Sequence, residues 1–458
     1  MGLKEECGVF GIYDTKGGAA LQTYYALYAL QHRGQESCGI ATINDRELTS
    51  HRALGLVGDN FSHTILDELN GTMAVGHVRY APSDSASDVI DNAQPLTLRY
   101  VKGTLALAHN GSLTNGNELR EQYEYNGAIF HTSTDAEIIA YVIAQERLKC
   151  DSIEEAMGHA MNHLRGAFSL IVMSPQKLIA ARDPWGFRPL CIGRRGDAII
   201  FASESCALDS IGAEYVRELD PGEIVAVIDG EIVSYREHCR DVNHLCIFEY
   251  IYFARPDSVI DGQSVHDARL SAGRYLAKAH PVDADVVIGV PDSGLSAAEG
   301  YALESKIPFQ TGFIKNRYIG RTFIAPTQQE REEAVRIKLN PMRATIEGKR
   351  VIMIDDSIVR GTTSAQIVRL LRSAGASEVH VRIASPEYIA PCYYGTDIPD
   401  KTFLVATMYD TPALAKYIGA DSLGFLPIGD LDKIAPNARP GFCDACFTEN
   451  HPVPKGCS

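Results

Sequence analysis

The stretch that most constrains the fold of this 458-residue chain runs from Val351 to Ser364. Its first four residues are apolar and lead directly into two adjacent carboxylates, Asp355 and Asp356. A loop rich in hydroxyl groups follows, after which apolar residues recur at helical spacing until Gly375. The pattern therefore predicts a buried strand, a loop and a helix, which is the repeating unit of a parallel sheet.

The loop after this strand has the composition of a phosphate-binding loop. Backbone N–H groups at the start of a helix bind phosphate, and nearby hydroxyls and a glycine assist close approach. Two carboxylates at the carboxyl end of a strand can hold ribose hydroxyls or Mg²⁺. For the Asp-Asp pair alone, an ordinary crossover with polar turn residues is the alternative. The residues predicted to bind ligand here are Asp355, Asp356, Ser357, Arg360, Gly361, Thr362, Thr363 and Ser364.

The same alternation of strand and helix extends through the C-terminal half of the chain. Apolar strands are predicted at Val286–Val290 and Val379–Ile383, with a helix from Ala297, so we expect a parallel sheet. Before about Arg240 the order differs, because strands cluster first and last around helical patterns at 19–31, 135–148 and 153–164. A chain of this length exceeds the usual size of one core. We therefore predict two domains with a boundary near residues 235–245.

Charge and cysteine content exclude several classes of protein. The net charge is −15, from 58 acidic and 43 basic residues, which disfavours non-specific binding to nucleic acid. No run of 18 apolar residues predicts a membrane span, and the N-terminus is too short and acidic for a signal peptide. Eleven cysteines in such a chain are typical of thiols, metal ligands or catalysts rather than disulfides. We therefore predict a cytoplasmic location.

Several motifs together carry a family resemblance. The Asp-Asp loop resembles the phosphoribosyl pyrophosphate (PRPP) loop of type I phosphoribosyltransferases. From Cys7 to Cys446 the chain resembles the glutamine PRPP amidotransferase family, although it departs from the usual small hydroxyl and glycine residues at Ala81–Asp84. The resemblance implies an N-terminal-nucleophile glutaminase domain with αββα layers, followed by a type I phosphoribosyltransferase domain with a parallel sheet. The implied bounds are 1–6 for a propeptide, 7–240 for the glutaminase domain and 241–458 for the phosphoribosyltransferase domain with its cluster ligands.

Cys7 is the first residue to which the resemblance assigns chemistry. On its own, a cysteine here is most often a small buried side chain. In the family that the chain resembles, the segment matching Cys7–Tyr13 begins the mature enzyme. The α-amino group of its cysteine serves as the base. An α-amine has a pKa of roughly 7.7–8.0, whereas an interior peptide nitrogen has no basicity. The resemblance therefore implies cleavage of the Glu6–Cys7 bond.

The glutamine-binding residues are also implied by the resemblance. Arg79 would bind the substrate carboxylate and Asp135 its ammonium group. Asn110 and Gly111 would donate to the oxyanion through a side-chain amide and a backbone N–H. Arg33 lies in a segment that covers bound glutamine in the family. Considered alone, the Asn110-Gly111 pair indicates a turn, and Asp135 indicates the cap of a helix.

For PRPP, the resemblance places a magnesium-proximal hydroxyl at Ser293, with Mg²⁺ also held by the Asp-Asp pair. The basic segment from Lys315 to Lys338 would close over the substrate and exclude water from a developing ribosyl cation. A solvated basic face is the competing interpretation of this segment.

The remaining cysteines predict a metal site. Cys443 and Cys446 have chelating spacing but need two further ligands, and four thiolates can hold either zinc or an iron–sulfur cluster. The resemblance adds Cys246 and Cys392 and implies a structural [4Fe–4S] cluster. Cys239 and Cys457 are rival ligands. We interpret four others as packing residues: Cys38, Cys150, Cys191 and Cys206.

The predicted function is a two-step enzyme. Cys7 hydrolyses glutamine, and the ammonia passes inside the protein to PRPP to give 5-phosphoribosylamine, glutamate and pyrophosphate, the entry to purine synthesis. The expected partners are glutamine, PRPP, inhibitory purine nucleotides and further copies of the chain, as a homotetramer, with no nucleic acid and no membrane. The alternatives are an ammonia-dependent enzyme with a decayed glutaminase half and a non-catalytic PRPP- or nucleotide-sensing regulator.

Overall fold

The computed structural model describes residues 6–80, 90–316, 339–396, 398 and 400–454. Lys338, Cys457 and the Ala81–Asp84 departure lie outside these residues. None of the described helices has the length and apolar character needed to span a bilayer.

Helices and strands are numbered in chain order. The elements before residue 240 are β1 (Gly8–Tyr13), α1 (Ala19–Ala29), β2 (Ser37–Asn44), β3 (Glu47–Leu54), α2 (Val57–Asn60), α3 (His63–Glu68), β4 (Met73–Arg79), β5 (Leu96–Tyr100), β6 (Gly103–Leu113), α4 (Gly116–Tyr125), α5 (Asp135–Arg147), α6 (Ile153–Met161), β7 (Gly166–Met173), β8 (Leu178–Arg182), β9 (Cys191–Arg195), β10 (Ala198–Ala202), α7 (Ser205–Ser210), β11 (Glu214–Glu218), β12 (Ile224–Ile228) and β13 (Glu231–Tyr235).

After residue 240 the chain forms β14 (Leu245–Cys246), a π-helical turn (Glu249–Phe253), β15 (Val259–Ile260), β16 (Gln263–Ser264), α8 (Val265–Ala279), β17 (Val286–Gly289), α9 (Gly294–Ser305), β18 (Phe313–Lys315), β19 (Leu339–Pro341), α10 (Arg343–Ile346), β20 (Arg350–Asp355), α11 (Thr362–Ser373), β21 (Glu378–Ile383), α12 (Thr411–Ile418), β22 (Ser422–Phe425), α13 (Leu431–Ile434), β23 (Phe442–Cys443) and α14 (Ala445–Thr448). Three short 3₁₀ turns lie at Lys401–Phe403, Val405–Thr407 and Ile428–Asp430.

Two antiparallel sheets stack face to face in the N-terminal half. One has the strand order β11-β9-β10-β1-β4-β2-β3, and the other has the order β13-β12-β8-β7-β6-β5. Val9, Phe201, Ile171 and Val225 from the two sheets share one buried core. Gly11 permits this close packing, because a Cβ there would lie 2.7 Å from Ile171 Cγ2. Helices α1 and α7 cover the first sheet and α5 and α6 cover the second, so the predicted αββα layers are confirmed.

A four-stranded parallel sheet organises the C-terminal half, in the order β17-β20-β21-β22. Helices α8 and α9 pack on one face and α11 and α12 on the other. The apolar residues of β20 point into both of these cores, which is why Val351–Ile354 reads as a continuous apolar run. Strand β20 is central, so the carboxylates that follow it lie at the middle of the sheet's carboxyl edge.

Candidate active sites

The proposed nucleophile immediately precedes the central strand of the first sheet. Strand β1 pairs with β4 so that Gly8 lies opposite Val78, and this register brings Cys7 beside Arg79. The Cys7 thiol lies 3.7 Å from the carbonyl oxygen of Tyr80, to which it donates. Burial raises the pKa of the Cys7 thiol, although the Arg79 guanidinium opposes the rise. The thiol therefore needs a nearby base before it can attack a substrate.

The predicted oxyanion donors lie near the C-terminal end of β6 in the second sheet. Asn110 is fully buried, and neither Nδ2 nor Oδ1 of its side chain has a hydrogen-bond partner among the described residues. Leaving a buried polar group unpaired costs about 1–3 kcal/mol, so such a group calls for an explanation. Gly111 has φ +137°, and a Cβ there would lie 2.2 Å from the carbonyl oxygen of Ala167. Only glycine fits this position.

Asp135 is the first residue of α5 and is held at the end of β6. Its Oδ2 accepts hydrogen bonds from the Leu113 N–H at 2.8 Å and from Ser112 Oγ at 3.4 Å. Burial raises the pKa of this carboxyl group, and the two donors oppose the rise. A partly buried carboxylate at this point is suited to bind a cationic group such as a substrate ammonium.

The two carboxylates after β20 form a second site. Asp356 accepts hydrogen bonds from the hydroxyls of Ser293, which belongs to a different loop, and Ser357. Burial raises the pKa of Asp355, and the adjacent Asp356 raises it further. Burial also raises the pKa of Asp356, while the Arg269 guanidinium lowers it. Two buried carboxyl groups this close ionise together only when a cation compensates them.

The phosphate-binding loop ends at the start of α11. Gly361 precedes the helix with φ +73°, a left-handed conformation that favours glycine, and Thr362 and Thr363 are the first two helical residues. The free N–H groups of this first turn and the hydroxyls beside them form a potential anion site. The Arg360 guanidinium lies over the ring of Phe403, 4.4 Å from its centroid.

The other predicted PRPP residues flank this loop. Ser364 is buried in the first turn of α11. Lys315 is the last residue of β18 and forms an ion pair with Asp292, the residue before Ser293. The structure therefore brings Lys315 and Ser293 to the same edge as Asp356.

A third candidate site is a cavity lined by four cysteines. Cys246, Cys392, Cys443 and Cys446 all border it, together with aromatic rings that include Tyr388. Cys246 and Cys443 lie opposite each other because β14 pairs with β23. Among the described residues, the only group of three or more His, Cys, Asp or Glu ligand atoms within 4.8 Å of one another lies elsewhere. The four sulfurs are therefore spread more widely than the ligands of one zinc ion, which lie about 3.8 Å apart for a Zn–S bond of about 2.3 Å.

The residue before the nucleophile is buried beside this cavity. Glu6 forms an ion pair of 2.7 Å with Arg188 and accepts a hydrogen bond from Thr396 Oγ1 at 3.2 Å. Arg188 also donates to the carbonyl oxygen of Tyr394, at 2.8 Å, in the segment that follows Cys392. The Glu6–Cys7 peptide thus connects the glutaminase site with the cysteine-lined cavity.

Comparison with known proteins matches both halves of the chain. A glutamine amidotransferase domain model matches residues 77–210, and a phosphoribosyl transferase domain model matches residues 265–386. The chain is 47% identical to the amidophosphoribosyltransferase of Methanocaldococcus jannaschii over 98% of both chains. It is 46% identical to the amidophosphoribosyltransferase of Bacillus subtilis over 99% of this chain and 95% of that one. The chain belongs to the amidophosphoribosyltransferase family.

A solved structure supports the same assignment. The glutamine PRPP amidotransferase from B. subtilis, complexed with ADP and GMP, superposes with a TM-score of 0.91 at 46% identity, over 98% of each chain. The predicted fold class, enzyme class and reaction are confirmed. As an amidophosphoribosyltransferase, the chain is a glycosyltransferase with a glutamine amidotransferase domain, and it acts at the first step of purine biosynthesis.

Sequence reasoning did not single out two buried histidines of the glutaminase site. His77 Nε2 donates to the carbonyl oxygen of His109 at 3.0 Å and so links β4 to β6 across the two sheets. Burial lowers the pKa of His77 to about 3 and that of His109 to about 4. Both rings are therefore neutral at pH 7. The sequence feature that could have identified these histidines is their position in the motifs that also contain Arg79 and Asn110.

Arg33, which we predict to lie in a segment covering glutamine, lies beside the nucleophile. Its guanidinium is buried between the two halves of the chain. It forms ion pairs with Glu204 at 2.6 Å and Glu249 at 2.9 Å, and its Nε donates to the carbonyl oxygen of Cys7 at 3.0 Å. A buried guanidinium needs such paired carboxylates to offset its desolvation. These contacts anchor the nucleophile and the domain interface, and the assignment of Arg33 to the glutamine site stays a prediction.

Proposed function

We propose that the family's two half-reactions occur at the sites described above, with the division of the chain at residues 1–6, 7–240 and 241–458. Cleavage of the Glu6–Cys7 bond gives the nucleophile a free α-amine. The Cys7 sulfur then attacks the amide carbon of glutamine, the thiol proton passes by way of that amine to the leaving nitrogen, and ammonia departs from a thioester. Water hydrolyses the thioester to glutamate and restores the thiol.

The surrounding side chains bind and polarise glutamine. Arg79 pairs with the substrate carboxylate and Asp135 with its ammonium group. The Asn110 amide and the Gly111 N–H donate to the oxyanion as it forms, where charge develops in a site with little water. The observation that carries this proposal is the buried Asn110 side chain, which has no partner among the described residues. Arg33, which donates to the carbonyl oxygen of Cys7, belongs to the proposed glutamine site as well.

At the second site, ammonia attacks C1 of PRPP and pyrophosphate leaves. The residues from Asp355 to Ser364 hold the ribose and its 5-phosphate, and Ser293 orients Asp356 through its hydroxyl. Lys315 and Lys338 provide positive charge for the pyrophosphate. The donor set of Asp355, Asp356 and Ser293 consists of oxygen atoms, as Mg²⁺ prefers. When bound, Mg²⁺ supplies charge that stabilises the leaving pyrophosphate.

We propose a [4Fe–4S] cluster at Cys246, Cys392, Cys443 and Cys446. The four thiols share one cavity with a spacing wider than zinc ligands require, which supports a cluster whose thiolates bind different irons. Of the two rivals, Cys239 does not line the cavity. The cluster supplies folding stability rather than redox chemistry.

Purine nucleotides are the proposed regulators. The B. subtilis structure was determined with ADP and GMP, and the relationship to that protein supports nucleotide binding here. We also propose a cytoplasmic homotetramer. Size-exclusion chromatography with light scattering would test the oligomer, and nucleotide titration of the purified enzyme would test the regulators.

The two-site proposal is tested by separating the half-reactions. Cys7→Ala removes the only proposed thioester-forming group, so pyrophosphate release with glutamine should vanish while release with ammonia at high pH persists. Asp356→Ala should abolish release with either nitrogen source, since losing one electrostatic contact typically costs about 10²–10³ in rate. It should leave basal glutamine hydrolysis intact. Cys239→Ala is the matched control.

Three outcomes would contradict the proposal. A folded Cys7→Ala protein that is also inactive with ammonia would refute two separate sites. Full-length chains retaining residues 1–6 with undiminished glutamine hydrolysis, seen by intact mass spectrometry, would refute the role of the α-amine. A parent protein active with ammonia alone would instead point to a decayed glutaminase.

A further inference from the structure

A second group of metal-ligand atoms lies on the glutaminase domain, at the junction of α5 and α6. The Cys150 sulfur, a carboxylate oxygen of Glu155 and a ring nitrogen of His159 all lie within 4.8 Å of one another. Cys150 Sγ is 3.3 Å from His159 Nδ1. This group is separate from the four cysteines of the cavity and from both substrate sites.

Local folding explains why these three side chains meet. Ser152 accepts a hydrogen bond from the Glu155 N–H at 3.2 Å and so begins α6. Glu155 and His159 are four residues apart on that helix and share one face. Cys150 lies two residues before the cap, and its buried sulfur reaches His159 on the helix. The spacing Cys-x4-Glu-x3-His thus produces the group from consecutive chain.

The chemistry of the three groups is that of a zinc ligand set. Thiolate, imidazole and carboxylate are the three ligand types that zinc uses, and tetrahedral coordination places neighbouring sulfur and nitrogen ligands about 3.6 Å apart. We propose that Cys150, Glu155 and His159 bind Zn²⁺ or a divalent ion of similar preference. This assignment replaces our interpretation of Cys150 as a packing residue. It does not depend on the residue roles proposed for the two half-reactions.

A fourth ligand is within reach. Oε2 of Glu146, whose side chain is 8% exposed, lies 3.7 Å from His159 Nδ1. Lys149 is paired with the other oxygen of that carboxylate at 2.7 Å, and its exposed ammonium group can turn into solvent when a cation arrives. Arg147 is the other cation that faces Cys150, and His163 lies 3.6 Å from Glu146. Glu146 is not one of the three groups that lie within 4.8 Å of one another, so a water molecule, or Glu146 after its side chain turns away from Lys149, would complete the tetrahedron.

The position of the site defines what the metal would do. Helix α5 runs from Asp135, at the glutaminase site, to the metal site, over a length of about 20 Å for 13 residues. A metal there would join the C-terminal end of α5 to α6. We expect it to raise the thermal stability of the domain and to leave ammonia-dependent synthesis unchanged.

The test measures metal binding by the purified, cluster-loaded enzyme. The parent and the variants Cys150→Ser, His159→Gln and Cys239→Ser are titrated with Zn²⁺ against a colorimetric chelator. Co²⁺ titration followed by difference absorption reports thiolate coordination. The parent and Cys239→Ser should bind one equivalent more than the other two variants. The affinity of the altered site should fall at least about 100-fold, the upper end of the cost of losing even an outer-shell partner.

The variants keep the result interpretable. The side chain of His159 is 53% exposed, so its replacement should not disturb folding even if the buried Cys150→Ser change does. The cavity cysteines are unaltered in every variant, so any metal they take up cancels in the comparison. Equal Zn²⁺ uptake by the parent and His159→Gln would overturn the proposal, as would Co²⁺ spectra without a thiolate band in the parent.

Discussion

At the scale of single residues, the glutaminase site is marked by a group left unpaired. The amide of Asn110 is buried on β6 and lacks a hydrogen-bond partner among the described residues, although most buried polar groups in proteins have one. A donor already fixed in this way needs no reorganisation when negative charge appears on the substrate. The unpaired amide lowers the stability of the folded chain, and the same preorganised donor increases the rate of glutamine hydrolysis.

We predict that Asn110→Ala lowers the kcat of glutamine hydrolysis about 10²–10³-fold, as loss of one oxyanion donor does in other enzymes. Ammonia-dependent synthesis should be unchanged, because the PRPP site lies in the other domain. Steady-state assays with the two nitrogen sources test this, with exposed Asn162→Ala as control. A parallel loss of both activities would indicate general damage to the fold instead.

Buried His77 gives a second prediction, on stability. Its folded pKa of about 3 lies below the ordinary value of 6.5, so the unfolded chain binds the proton more readily. Stability is therefore complete above about pH 6.5 and is lost as the pH falls toward 3, by at most about 1.4 kcal/mol per pH unit. In His77→Gln the fall in melting temperature between pH 6 and pH 4 should be shallower. An unchanged slope would contradict a neutral, buried ring.

At the scale of secondary-structure elements, the local sequence pattern predicts the strands and helices of the phosphoribosyltransferase site. It does not predict which distant side chains contact that site. The strand, loop and helix expected around Asp355 are present as β20 and α11, because apolar periodicity is a local property. The hydroxyl of Ser293 and the cation of Arg269 come from distant elements, so no local pattern predicts that they face Asp356. For the same reason the pairing of Arg33 with Glu249, 216 residues away, was not foreseen.

The short strands β14 and β23 contribute two of the cysteines that line the cavity. They bring Cys246 and Cys443 together, and α14 supplies Cys446, so metal binding and the packing of these elements are coupled. Cys446→Ser should give colourless, poorly folded protein, whereas the parent should hold about four irons per chain. Iron and sulfide analysis with circular dichroism measures this. Stoichiometric zinc without iron, or full iron content in Cys446→Ser, would contradict the cluster.

At the scale of the whole molecule, buried ion pairs join the two domains around the nucleophile. Arg33 and Glu204 come from the first half of the chain, and Glu249 comes from the second. All three side chains are fully buried. Arg188 also approaches Glu249, at 3.5 Å, so one carboxylate compensates two guanidinium groups. Removing its charge leaves Arg33 with only Glu204 and, once Glu6 is cleaved away, leaves Arg188 without a carboxylate partner among the described residues.

We predict that Glu249→Gln destabilises the protein by about 3–5 kcal/mol, the usual cost of breaking a buried ion pair. Differential scanning calorimetry of the cluster-loaded protein should show a lower melting temperature. Asp257→Asn, which removes an exposed carboxylate, is the control and should change little. An equal melting temperature for Glu249→Gln and the parent would contradict the prediction that these buried ion pairs hold the domains together.

The burial of Glu6 also has a consequence for how the protein is made on the ribosome. Glu6 is among the first residues to emerge, whereas its partner Thr396 follows 390 residues later. At a translation rate of 5–20 residues per second, about 20–80 s separate the two. Until then the start of the chain lacks part of its buried environment. The buried surroundings of the Glu6–Cys7 bond are therefore complete only after most of the phosphoribosyltransferase domain has been translated.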